Sequence, residues 1–82
     1  MIPATHMISK IQWDKNMVSS KIILGYWDRV LKEIQYIKYE RIWTDPEDKF
    51  SFQVAVDNKV VNIPYHRLRV VKYKGDIIWE RK

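Results

Sequence analysis

Apolar and polar positions alternate most cleanly in the second half of the chain. Phe50, Phe52, Val54 and Val56 are interleaved with Ser51, Gln53 and Ala55, the period of a half-buried strand. Asp57-Asn58 then tolerates the positive φ of a two-residue hairpin turn. That turn fixes a register with Phe52 opposite Ile63 and Val54 opposite Val61 on the core side, and Gln53 opposite Asn62 outside. Pro64 has no N–H to donate and ends the ladder. A second hairpin is predicted from about His66 to Arg81 around Lys74-Gly75, where glycine meets the demand for unusual φ. A regular ladder there pairs Val70 with Trp79. Leu68, Val70, Ile77, Trp79 and Arg81 then share a face with His66, and Arg67, Arg69, Val71, Tyr73, Ile78 and Glu80 take the other.

The first half is less regular. Ile8 and Ile11 stand at helical spacing before Trp13-Asp14, which predicts one or two turns of helix docked on a sheet. Lys21 to Asp28 is β-branched and aromatic, a strand with Ile22, Leu24 and Tyr26 on one face and Ile23, Gly25 and Trp27 on the other. Residues 32–43 fit a helix through Val30, Ile34 and Ile37, but their β-branched and aromatic neighbours favour a strand broken near Tyr36. Residues 44–48 form a polar turn around Pro46. Residues 1–6 have no periodicity, and His6-Met7 is a dipeptide that cloning sites leave behind. They are therefore read as an N-terminal extension or cloning remnant, with residues 7–82 as a single domain.

Composition narrows the classes. Eighty-two residues with 46% hydrophobic content support one small packed domain and exclude a multidomain enzyme. The absence of cysteine removes disulfide, zinc-ribbon and thiol chemistry and fits a cytoplasmic location. No apolar run is long enough for a membrane span, and no membrane association is expected. The net charge of +5 is carried entirely by residues 59–82, where seven bases face only Asp76 and Glu80. Together with Tyr65, Tyr73 and Trp79, that basic segment suits a nucleic-acid surface, because cations attract phosphate and aromatic faces stack on bases.

Within this segment His66, Trp79 and Arg81 group near the open end of the second hairpin. Arginine offers phosphate a planar donor fork, histidine a further donor, and tryptophan a stacking face. The competing reading packs Trp79 in the core and uses His66 to cap a strand end. Asp28-Arg29 likewise reads either as part of a site or as a salt bridge closing a strand. Trp13, Trp43 and Phe52 are expected in the core or at its rim. No catalytic residue, metal site or cofactor is assigned. A phosphoesterase built on His66 would need a second proton-transfer group, and the acids at 45, 47 and 48 read as a solvated loop.

Trp13-Asp14, Tyr26-Trp27-Asp28-Arg29, Ile63-Pro64-Tyr65-His66-Arg67 and Gly75-Asp76-Ile77-Ile78-Trp79-Glu80-Arg81 together resemble the RNA cyclic group end recognition domain. This is a family of small, mostly archaeal proteins whose domain is also appended to RNA-repair and RNA-processing proteins. The resemblance spans about residues 7–82, and Leu68 stands where an isoleucine is usual. It implies recognition of RNA ends bearing a 2′,3′-cyclic phosphate. The family motif falls on Asp28, Arg29, His66, Arg67, Trp79 and Arg81.

The expected fold is α+β: a short N-terminal helix on a curved antiparallel sheet of about five strands, closing toward a small barrel. RNA is the expected partner, with an RNA-processing protein as a second. In this account Arg29, Arg67 and Arg81 attract phosphate, His66 donates to the terminal phosphate, and Trp79 or Tyr65 stacks on the last base. A regular strand would point Arg67 away from Arg81, so the two can share a site only if the chain bulges or twists after Pro64. Two other classes stay open. A general single-strand binder would use Arg69, Lys72, Tyr73 and Lys74 as a basic track, and a protein-interaction module would use no RNA at all.

Overall fold

A computed structural model describes residues 2–81. It is an α+β arrangement of one α-helix and seven strands in two antiparallel sheets. Helix α1 (Ala4–Trp13) buries Ala4, Met7, Ile8 and Ile11, a single stripe at helical spacing. It starts earlier than Ile8 and Ile11 alone implied, because Ala4 and Met7 extend the same stripe by a turn. The residues set apart as an extension therefore pack here: Ala4 is buried, and the Pro3 carbonyl accepts from Met7 N at 3.1 Å.

The larger sheet has the order β2-β1-β6-β7 and is made of β1 (Ile22–Asp28), β2 (Glu33–Lys38), β6 (Leu68–Tyr73) and β7 (Asp76–Glu80). The smaller has the order β3-β4-β5, from β3 (Ile42–Trp43), β4 (Ser51–Val56) and β5 (Lys59–Pro64). The sheets do not close into a barrel, and the strand count exceeds the expected five. The stretch of residues 32–43 is strand, as its β-branched and aromatic residues imply, but it breaks at a 3-10 turn, Tyr39–Arg41, rather than at Tyr36. That break carries the chain from one sheet to the other.

The first hairpin has the expected register, with Phe52 paired to Ile63 and Val54 to Val61. Its turn residues Asp57 and Asn58 have φ of 50° and 63°, as a two-residue turn of primed type requires. Val61 and Phe50 nonetheless remain exposed, because the small core ends before it reaches them.

The second hairpin departs from the regular ladder at two bulges. Tyr73 pairs with Asp76 and Lys72 with Ile77 as expected, but Ile78 is then extra and Trp79 pairs with Val71. On the other side of β6, Gly25 pairs with Val70 and Tyr26 with Leu68, which leaves Arg69 extra. Leu68 and Val70 therefore lie on opposite faces, and Trp79 joins Val71 instead of Val70. The inner face becomes Ile22, Leu24, Tyr26, Leu68, Val71 and Trp79, all buried.

This face, α1 and the inner residues Phe52, Val54 and Ile63 of the smaller sheet form one core. Phe52 is its centre, with Tyr26 edge-on at 6.5 Å between ring centroids and Tyr65 tilted at 5.4 Å. Two tryptophans expected in or near the core are outside it. Trp13 is 84% exposed because it falls off the buried stripe of α1, and Trp43 is exposed because alternation turns it outward once Ile42 faces Val54.

Candidate nucleic-acid interface at one end of the larger sheet

Antiparallel pairing brings three distant segments of the chain to the same end of the larger sheet. β1 ends there at Asp28, β6 begins there at Leu68, and β7 ends there at Glu80, with Arg81 N donating to Arg69 O at 2.7 Å. Asp28, Arg29, His66, Arg67, Arg69 and Arg81 thus gather at one end. Strand spacing puts β1 and β7 about 10 Å apart across β6.

Residues after Pro64 leave strand geometry, which removes the conflict between Arg67 and Arg81. Tyr65–Arg67 is a 3-10 turn, so the alternation that would have opposed the two arginines does not apply. The turn is anchored by Tyr65 N donating to Phe50 O at 2.8 Å, and Arg81 Nη1 donates to His66 O at 2.8 Å. Arg81 therefore spends one N–H of its fork holding the His66 backbone, while the His66 side chain is exposed. Arg67 is half-buried, and its Nε is enclosed without a hydrogen-bond partner.

His66 and Arg81 line a groove of about 350 Å³ with Lys49, Phe50 and Tyr65. Lys49 and Phe50 were not assigned to a site from the sequence; the Tyr65 to Phe50 backbone bond brings them here, the next pair after Ser51 and Pro64 in the register that the Asp57-Asn58 turn sets. Below them the Asp48 carboxylate is held under its ordinary range, chiefly by the Ser51 hydroxyl at 2.6 Å and then by Phe50 N. The Tyr65 hydroxyl is pushed up, first by burial and then by the Asp48 charge.

The two rings expected to stack on a base are both buried. Trp79 is 6% exposed, and its indole Nε1 donates to Ile2 O at 2.9 Å, so its ring belongs to the core and offers no free face. Tyr65 is 8% exposed and packs on Phe52. The open ring at this groove is Phe50. Arg81 does lie by Trp79, its guanidinium carbon 5.5 Å from the ring centroid, which holds it in place from the inner side.

Asp28 also has a local task. Its Oδ1 accepts from Val30 N and Leu31 N, and Lys32 N closes the turn onto Asp28 O at 2.8 Å. The carboxylate shapes the β1–β2 turn through backbone N–H groups, not through a salt bridge with Arg29, and Arg29 stands exposed beside it.

The basic track anticipated from Arg69, Lys72, Tyr73 and Lys74 is divided by the fold. Tyr73 turns inward and its hydroxyl accepts from Val18 N at 3.1 Å, while Lys74 sits at the hairpin tip at the far end of the sheet. Arg69 and Lys72 instead face the outer surface. There they line a groove of about 700 Å³ with Trp27, Tyr36 and Arg81. Among the described residues no helix is long and apolar enough to cross a membrane.

Fold and surface together describe a small α+β domain with a concentrated cationic end. The chain belongs to a known family: the model described as the MJ1316 RNA cyclic group end recognition domain matches residues 1–81. No solved structure matches it.

Proposed function

We propose that this domain binds RNA at a terminus, with a 2′,3′-cyclic or other terminal phosphate held in the groove between His66, Arg81 and Lys49. The observation that carries this reading is the joining of His66 to Arg81 by the guanidinium-to-carbonyl bond on the wall of an open groove, in a chain whose family is described by RNA cyclic-end recognition. The remaining N–H groups of Arg81 and the His66 ring act as donors to phosphate oxygens, and Lys49 adds charge without fixed geometry. Phe50 stacks on the last base in place of Trp79 and Tyr65. Arg29 and Arg67 enlarge the positive field at this end.

The role is binding in this reading, and no residue is given a catalytic part. The domain would serve RNA repair or processing in the cytoplasm, alone or beside a processing protein. The test is a single short RNA prepared with a cyclic phosphate, a 3′-phosphate or a 3′-hydroxyl end. Tenfold or greater preference for the cyclic end, lost in His66→Ala, supports the reading; equal affinity for all three removes it.

A further inference from the structure

The outer face of the larger sheet is open. Across it, Tyr36 pairs with Gly25, Gly25 with Val70 and Val70 with Glu80, one row of outward side chains over all four strands. Trp27 and Lys72 lie on the same face in neighbouring rows, and the bulge at Arg69 turns that residue toward it. Gly25 is the floor. A Cβ there would collide with Val70 and come within 3.0 Å of Ile34 and Tyr36, so glycine lets these side chains close the base of a shallow trough.

Two rings stand in that trough, Trp27 half-buried and Tyr36 56% exposed. Three cations border them, Arg69, Lys72 and Arg81, against the single acid Glu80. Lys72 Nζ lies 4.9 Å from the Tyr36 ring centroid. Tyr36 also walls an adjoining groove of about 610 Å³, where Lys38, Arg41 and the exposed Trp43 lie with the acid Glu40. Rings alternating with cations along a continuous surface fit a flexible polyanion with flat bases.

We propose that this face binds the single-stranded RNA that precedes the terminal nucleotide, with bases stacked on Tyr36 and Trp27 and phosphates paired with Arg69 and Lys72. The proposal deepens the reading of an end-binding protein and rests on it for direction. Arg81 lines both the end groove and the outer trough, so a strand anchored at His66 passes directly from one to the other. Lys72 leaves the face of Tyr36 when a base enters and moves to that nucleotide's phosphate. Stacking reads no base identity, so the tract contributes length-dependent affinity and the end groove contributes the preference for end chemistry.

The test measures binding of uridine 2′,3′-cyclic monophosphate and of two eight-nucleotide oligouridylates, one with a cyclic phosphate end and one with a 3′-hydroxyl. Wild type, Tyr36→Ala, Tyr36→Phe and Lys72→Gln are compared, with thermal melting to verify folding. Tyr36→Ala is expected to weaken both oligomers about tenfold and leave the mononucleotide unchanged, and Tyr36→Phe to retain wild-type affinity. Lys72→Gln is expected to lower the salt dependence of oligomer binding by less than one unit of log–log slope, about 0.7 for one contact on a single strand. Oligomer affinities unchanged in both Tyr36→Ala and Lys72→Gln overturn the tract. Equal wild-type affinity for the two oligomers, with the Tyr36 effect intact, overturns end recognition and keeps the tract. Absence of RNA binding at low salt overturns both and turns the face toward a protein partner.

Discussion

The inner face of the larger sheet carries Leu24, Tyr26, Leu68, Val71 and Trp79, all buried, while the outer face of the same strands carries Trp27, Tyr36, Arg69 and Lys72. Each face holds a tryptophan, and the two have opposite surroundings. Trp79 is packed and its N–H is paired, whereas Trp27 borders an open cationic trough. One helix and one small sheet can cover only one side of the larger sheet, so the second side is free for a ligand. The bulges at Arg69 and Ile78 decide which residues go where. Without them Val70 would share a face with Leu68 and Trp79, and the trough would lose its Val70 floor.

The largest effect tests the inner face. Trp79→Ala removes a buried ring from the core, together with its bond to Ile2 O, and should cost about 3–5 kcal/mol of stability. Urea unfolding measures it, and a loss below about 1 kcal/mol would contradict the packing described here. Deleting residues 1–6 should cost about 2–4 kcal/mol, because it strips the Ile2 acceptor from the Trp79 indole and removes the buried Ala4. Unchanged melting after that deletion would mark those residues as dispensable and keep the domain at 7–82. On the outer face, Gly25→Ala should cost about 1–3 kcal/mol through crowding against Val70, Ile34 and Tyr36. A neutral melting temperature for this variant would show that the trough floor is loose.

Much of this arrangement was legible in the sequence, and the failures have physical causes. The Asp57-Asn58 turn admits one register, and every pair of the first hairpin followed from it. The Lys74-Gly75 turn fixed the second hairpin only as far as Lys72 and Ile77, because a bulge has no periodic signature and shifts all that follows. Hence Trp79, which a regular ladder sets opposite Val70 and which the sequence leaves open between a stacking ring and a core ring, pairs with Val71 and belongs to the core. His66 and Arg81 were recognisable by chemistry, and the bond from the Arg81 guanidinium to the His66 carbonyl is local to one hairpin. Lys49 and Phe50 reach the same groove through the Tyr65 to Phe50 bond, which continues the register of the first hairpin; what the sequence hides is that this end of the smaller sheet meets Arg81 of the larger one. Tyr36 and Trp27 were hidden differently. Their alternation was visible, but which face of the sheet would be left uncovered depends on where α1 and the smaller sheet pack.

The central claim concerns the end groove, and binding of one RNA oligomer with cyclic-phosphate, 3′-phosphate and 3′-hydroxyl ends tests it most directly, for wild type and His66→Ala at one salt concentration. The account predicts at least a tenfold preference for the cyclic end, equivalent to about 1.4 kcal/mol, and its loss in His66→Ala with melting unchanged. Equal binding of the three ends by the wild-type protein would contradict it.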